Sequence, residues 1–227
     1  MWAILKKELK SYFLSPIGYV VVGVLMLVFT VFFYLTTIST GTIELGALYF
    51  YTVLYGLMIV IPILTMRMLA EERKSGTEQL LLTSPVSITG VVLGKFFAAL
   101  GVIVVALLVS FVYYGIICYF GNANIIVLLV AMLGFILVSG AGIALGMFAS
   151  SITENQIIAG IITIAFLIMS LFIPSLGDEF KMIALTDFYQ KFPVGVISLT
   201  EVVGAVSFAA MFIAFTIIVM QRRKLVK

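Results

Sequence analysis

The sequence predicts an all-α integral membrane protein, a single transmembrane domain of six helices. Three observations carry this. Of the 227 residues, 63% are hydrophobic and 10% are charged, and the mean hydropathy is +1.30; soluble domains run near half apolar and a quarter charged. The apolar runs are about twenty residues long, the length at which a helix crosses a ~30 Å hydrocarbon core. They lack the ten-residue alternation of a membrane β-barrel.

Residues 1–14, MWAILKKELKSYFL, are too short and too charged to cross. On a helix, Trp2, Leu5, Leu9, Tyr12 and Phe13 form one stripe, with Lys7, Lys10 and Ser11 facing away. That pattern predicts an amphipathic helix lying in the membrane interface. The first apolar run is too long for a signal-peptide core, and no small-residue cleavage site follows it, so it reads as a retained span. The spans are expected at 17–38, 47–69, 92–119, 126–149, 156–174 and 202–220. Pro62 lies inside the second and is expected to kink it.

Basic residues orient the chain. With both termini cytoplasmic, Lys6, Lys7, Lys10, Arg67, Arg73, Lys74, Lys95, Arg222, Arg223, Lys224 and Lys227 lie inside, 11 of the 13 Lys and Arg. Only Lys181 and Lys191 lie outside. The chain is therefore expected in a cytoplasmic (inner) membrane as a multi-pass protein. Two loops are long. One is cytoplasmic, 70–91. The other is external, 175–201, with Phe180, Phe188, Tyr189 and Phe192 among its residues. It reads as a partly inserted outer segment of short helices broken near Pro193, or as a solvated loop with aromatic anchors.

Several chemistries are disfavoured. The chain has no histidine and one cysteine, Cys118, so the commonest general base and transition-metal ligand is missing. The span centres carry no charge; Arg67 and Lys95 fall near inner ends, where long stems snorkel, and Glu201 falls near an outer end. An ion-coupled carrier would need acidic groups at depth. GVVLGKF at 90–96 has three residues between its glycines and Phe96 after its lysine, so it is not a phosphate loop. No nucleic-acid partner is indicated. In LVSGAGIALGMF the small residues Ser139, Gly142 and Gly146 recur at spacings that let helix backbones approach closely; the neighbour is either the same chain or a second copy.

The densest charge lies in EERKSGTEQLLLTSPVS, 71–87. Gly76 is expected to interrupt a short helix starting near Ala70, and Pro85 to end it. LLLTSP reads as a greasy piece lying on the membrane, and the charges as exposed to the cytosol. Charge of mixed sign suits a protein partner, because complementary potentials set register. A plain solvated turn is the alternative.

The run MRMLAEERKSGTEQLLLTSPVSITGVVLGKF, 66–96, resembles the signature of ABC type-2 transporter permeases, especially the gliding-motility-type branch. The resemblance implies a permease subunit, most simply of an exporter, with no enzyme activity or cofactor of its own. ATP and Mg would sit on a separate ABC ATPase. It implies that Glu71, Glu72, Arg73, Lys74, Gly76, Thr77 and Glu78 form a coupling helix that docks on that ATPase. Glu154, Asn155 and Gln156 offer a second, smaller contact, or simply a helix start capped by Asn155. A second permease copy or a related chain would complete the transporter, with membrane lipid around it. Two other functions fit the charged gap: a membrane scaffold docking a cytosolic protein, and a carrier that works without an ATPase.

Overall fold

The computed structural model describes residues 1–42, 44–78, 87–121, 123–176 and 184–226, and they fold as helices and turns. The LLLTSP piece, Pro85, Asp178, Glu179, Phe180 and Lys181 lie outside the described residues. Five helical stretches are long and apolar enough to cross a membrane: Pro16–Ile38, Leu45–Lys74, Ile88–Phe120, Ile125–Ile152 and Leu199–Arg223. Gln156–Phe172 is a shorter apolar helix. Its 17 residues rise only about 26 Å.

Helix α1 (Trp2–Leu14) stops at Ser15, which is extended at φ −93° and ψ 157°. Pro16 then opens α2 (Pro16–Phe33) at its first position, where a missing N–H costs nothing. A π turn, Tyr34–Ile38, extends α2. The half-buried face of α1 is Ile4, Leu5, Glu8, Leu9, Tyr12 and Phe13, whereas Trp2 is exposed. Trp2 is thus off the stripe on which its spacing put it, and Glu8 is on it.

The second stretch is broken twice. Helix α3 (Leu45–Tyr51) passes through a π turn, Thr52–Gly56, into α4 (Leu57–Thr65). A turn at 66–69 then leads to the five-residue α5 (Ala70–Lys74). Pro62 lies buried within α4. The irregular backbone lies on either side of it, in the π turn and the 66–69 turn, rather than at the proline.

Three of the later helices carry side-chain caps. Ser87 accepts from the Gly90 N–H at the start of α6 (Ile88–Phe120). Asn124 accepts from Ile126 N–H at α7 (Ile125–Ile152). Asn155 accepts from Ile157 N–H at α8 (Gln156–Phe172). Each satisfies one of the N–H groups that a helix start leaves open. Helix α9 (Leu199–Val226) is the last described element.

Helix α7 is the centre of the bundle, with buried positions along its whole length. The small residues read from the sequence make this possible. A Cβ on Gly142 would lie 2.4 Å from Ile61 Cδ1, and one on Gly146 would lie 2.2 Å from Thr65 Oγ1. Both slots receive α4 of the same chain. Ser139 is buried beside them, and its hydroxyl has no hydrogen-bond partner among the described residues.

Glycines also seat α1 on α6. A Cβ on Gly94 would meet Ile4 at 2.9 Å, and one on Gly101 would meet Leu9 at 3.0 Å. The GVVLGKF stretch thus has a packing role for its second glycine.

At the opposite end of the bundle, two 3-10 turns, Asp187–Tyr189 and Phe192–Val194, bury Phe188, Tyr189 and Phe192. The Tyr189 hydroxyl donates to Ala131 O at 3.0 Å, and Phe192 occupies the space a Cβ on Gly134 would take. These three aromatics are inward packing residues rather than outward anchors. Pro193 sits inside the second turn, and the turn ends at Gly195 with φ +81°, a conformation glycine adopts at no steric cost. Glu201 is buried and accepts from the Lys191 N–H.

Candidate functional site

The charged stretch sits where α4 ends. The turn at 66–69 leaves backbone groups without helical partners, and Ser150 of α7 takes three of them. Its Oγ accepts from the N–H groups of Leu69 at 3.1 Å and Ala70 at 3.0 Å, and donates to Met66 O at 3.3 Å. Ser150 is fully buried. It serves α5 as a capping residue supplied from another helix, in place of the missing local cap.

The far end of α5 closes on itself. Gly76 has φ +75°, the left-handed region that ends helices. The Ser75 and Thr77 hydroxyls both donate to Glu72 O, at 3.2 and 3.3 Å, and lie 2.9 Å apart. Ser-Gly-Thr thus folds back over the last turn of α5.

The charges divide into two sets. Glu71, Lys74, Ser75, Gly76 and Thr77 are exposed. The other three charged side chains are engaged within the protein, contrary to the expectation that the whole cluster faces solvent. Glu72 Oε1 lies 2.7 Å from Lys95 Nζ of α6, which also reaches Glu8 Oε1 of α1 at 3.1 Å. Lys95 is only 3% exposed, so it does not snorkel; the two carboxylates hold it inside. Glu72 Oε2 is buried without a partner among the described residues. Arg73 pairs with Glu154 at 2.7 Å and donates to Ile152 O at 3.0 Å. Glu78, itself buried, pairs with Arg223 of α9 at 3.1 Å, and Arg223 also donates to Ser151 O.

Residues 71–78 therefore engage α6, the α7–α8 turn and α9 directly, and α1 through Lys95. Of the second candidate set, Glu154 is drawn to Arg73, Asn155 caps α8, and Gln156 is the first residue of that helix. The two candidate contacts are thus joined by one ion pair. A cleft of about 310 Å³ lies beside them, walled by Lys7, Tyr12, Arg67, Glu71, Glu72 and Lys95 among others. Burial pushes the Tyr12 phenol far above its ordinary range, with Glu8 and Glu72 adding to the effect. It stays neutral and donates to Leu64 O at 3.4 Å.

Residues 44–193 match the profile of the ABC-2 family transporter protein. The chain belongs to the ABC-2 transporter family. The match runs from the start of α3 to the second 3-10 turn, so it includes the Ala70–Glu78 stretch and its partners Lys95, Ser150 and Glu154. Glu8 and Arg223 lie outside it. No curated protein matches the chain. Membership, together with the apolar helices, makes this ABC-2 protein a multi-pass membrane component of a transporter.

Four residues at the site escaped the sequence reading. Ser150 looks like one more small residue in a small-residue helix. Glu8 interrupts a basic run, and Lys95 is a lone cation inside an apolar run; each is an oddity without an evident partner. Arg223 sits in the RRK run near the end of the chain, where terminal basic residues are ordinary. None of these pairings shows in sequence, because the partners lie 23 to 145 positions apart, from Glu72–Lys95 to Glu78–Arg223.

Proposed function

We propose that this chain is the permease subunit of an ATP-driven ABC exporter of the gliding-motility-type branch. It couples ATP hydrolysis on a separate ATPase subunit to movement of a substrate across an inner membrane. The single observation that carries the reading is the division of charge in 70–78. An exposed tip, Glu71, Lys74, Ser75, Gly76 and Thr77, stands on a base whose ion pairs reach α6, the α7–α8 turn and α9 directly, and α1 through Lys95. A solvated turn has no need of such a base. A segment that receives a push at its tip and distributes it to several helices does.

In this reading the tip docks in the ATPase, with the Glu154–Gln156 turn beside it as a second contact. Glu72, Arg73 and Glu78 pass the displacement on. Closure of the ATPase subunits around ATP and Mg moves α5, and with it α1 through Lys95, α8 through Glu154 and α9 through Arg223. Gln156–Phe172 is the sixth crossing, both termini are cytoplasmic, and α1 lies in the interface. Two permease copies, or this chain and a related one, enclose the substrate path, in contact with membrane lipid.

The test is co-expression with the candidate ATPase in membranes, followed by mild solubilisation. The double variant Glu71→Lys with Lys74→Glu changes only exposed groups and leaves the internal pairs alone. It is expected to lose ATPase binding and stimulated ATP turnover while remaining folded. Unchanged binding and turnover would rule out the tip as the docking surface. A wild-type chain that binds no ATPase would favour a scaffold or an ATPase-independent carrier.

A further inference from the structure

The C-terminal turn of α7 supplies three consecutive anchors to the charged segment. Ser150 Oγ holds its beginning, through Leu69 and Ala70. Ile152 O holds its middle, through Arg73. Ser151 O binds Arg223, whose other terminal nitrogen holds its end at Glu78. Above this turn the contact continues in register. Ile61 faces Gly142, Thr65 faces Gly146 and Leu69 meets Ser150, each step four residues on both helices. α4 and α7 therefore run side by side with a repeat of about one turn, down to the point where the hydroxyl crosses the break.

We infer that this turn is the pivot on which the coupling segment moves, and that Ser150 is its positioning residue. The inference rests on the ABC-permease reading and deepens it. A break in a helix is a place where a push dissipates as local unwinding. The turn at 66–69 is such a break, directly between the docking tip and α4. The Ser150 hydroxyl removes the slack: it bridges Met66 on one side of the break and Leu69 and Ala70 on the other. A push on α5 then displaces α4 against α7 instead of fraying the joint. The ion pairs of Arg73 and Glu78 keep the segment aligned but do not cross the break.

Ser151 provides an internal control. It is also buried, on the same turn, yet among the described residues its hydroxyl bonds only Phe148 O in its own helix, and the main-chain carbonyl that anchors Arg223 is left in place by Ser151→Ala. The experiment compares Ser150→Ala with Ser151→Ala in the permease–ATPase complex reconstituted in lipid nanodiscs. Three quantities are read: ATPase bound per permease, ATP turnover per bound ATPase, and hydrogen exchange at the Leu69 and Ala70 amides. For Ser150→Ala we expect binding within about twofold of wild type. Amide exchange should be about tenfold faster, the scale set by losing a buried acceptor, and turnover per bound ATPase should fall severalfold. Ser151→Ala should match wild type in all three. A lesion that merely loosened the fold would lower binding and turnover together. The pivot is overturned if Ser150→Ala couples like wild type, or if Ser151→Ala loses as much. If Ser150→Ala does not fold, Ser150→Cys, with its weaker acceptor, takes its place and should fall between the two. A wild-type chain that binds no ATPase sinks the permease reading itself, an outcome distinct from a wild type that couples and a Ser150 variant that couples equally.

Discussion

Lys95 Nζ stands 2.7 Å from Glu72 Oε1, joining the long helix α6 to the short helix α5 at a point 3% exposed. One buried ammonium serves two carboxylates, since Glu8 shares it at 3.1 Å. Removing one member of such a group leaves a buried charge uncompensated, at a cost of about 3–5 kcal/mol. Lys95→Met is therefore expected to lower the unfolding temperature in detergent strongly. The triple variant Glu8→Gln, Lys95→Met, Glu72→Gln should recover most of that loss, because no naked charge remains. Equal stability of the single and triple variants would contradict this account.

The Arg73–Glu154 pair makes the opposite demand. Its side chains are 27% and 62% exposed, and exposed pairs contribute roughly 0–1 kcal/mol. Glu154→Arg should leave stability within about 1 kcal/mol of wild type while reducing ATPase-stimulated turnover. The swap Arg73→Glu with Glu154→Arg should restore part of it. If turnover is insensitive to both variants, the α7–α8 turn takes no part in coupling.

Packing of α4 on α7 is testable by a pairwise cycle. A Cβ on Gly142 would lie 2.4 Å from Ile61 Cδ1 but 3.6 Å from its Cγ1. Gly142→Ala should destabilise by about 1–3 kcal/mol, the usual cost of overpacking. Ile61→Val removes the offending methyl. The double variant should therefore be more stable than the sum of the two single losses. Additivity would show that the two residues do not share the slot.

At the other end, Tyr189→Phe deletes only the hydroxyl that donates to Ala131 O. The expected loss is about 1 kcal/mol, measured by chemical denaturation in detergent. Gly134→Leu, which would fill the place of the Phe192 ring, should be far more damaging and should expose the 187–194 turns to protease. Insensitivity of both would mean that this segment is not anchored in the bundle.

Much of the helical architecture was readable from runs of apolar residues, because length and hydropathy act locally. The start of the short helix at Ala70 and the interruption at Gly76 were readable for the same reason. The small residues of α7 announced close packing, but not that the neighbour is α4. What the sequence hid were the pairings. Glu72 looks solvated, one charge in a run of mixed sign with Arg73 and Lys74 beside it. Its partner is brought up by α6 and stabilised by Glu8 from the first helix. The same applies to Glu78 and Arg223, which lie 145 positions apart.

By itself the sequence determined that this is a helical membrane protein with a charged break after its second apolar run, and which residues make that break. Those are consequences of composition and local periodicity, which each segment carries alone. Only the tertiary structure decided which charges are exposed and which are held, and that Ser150 bridges the break. Burial and ion pairing depend on distances between segments far apart in the chain, and these are set when all the helices pack at once.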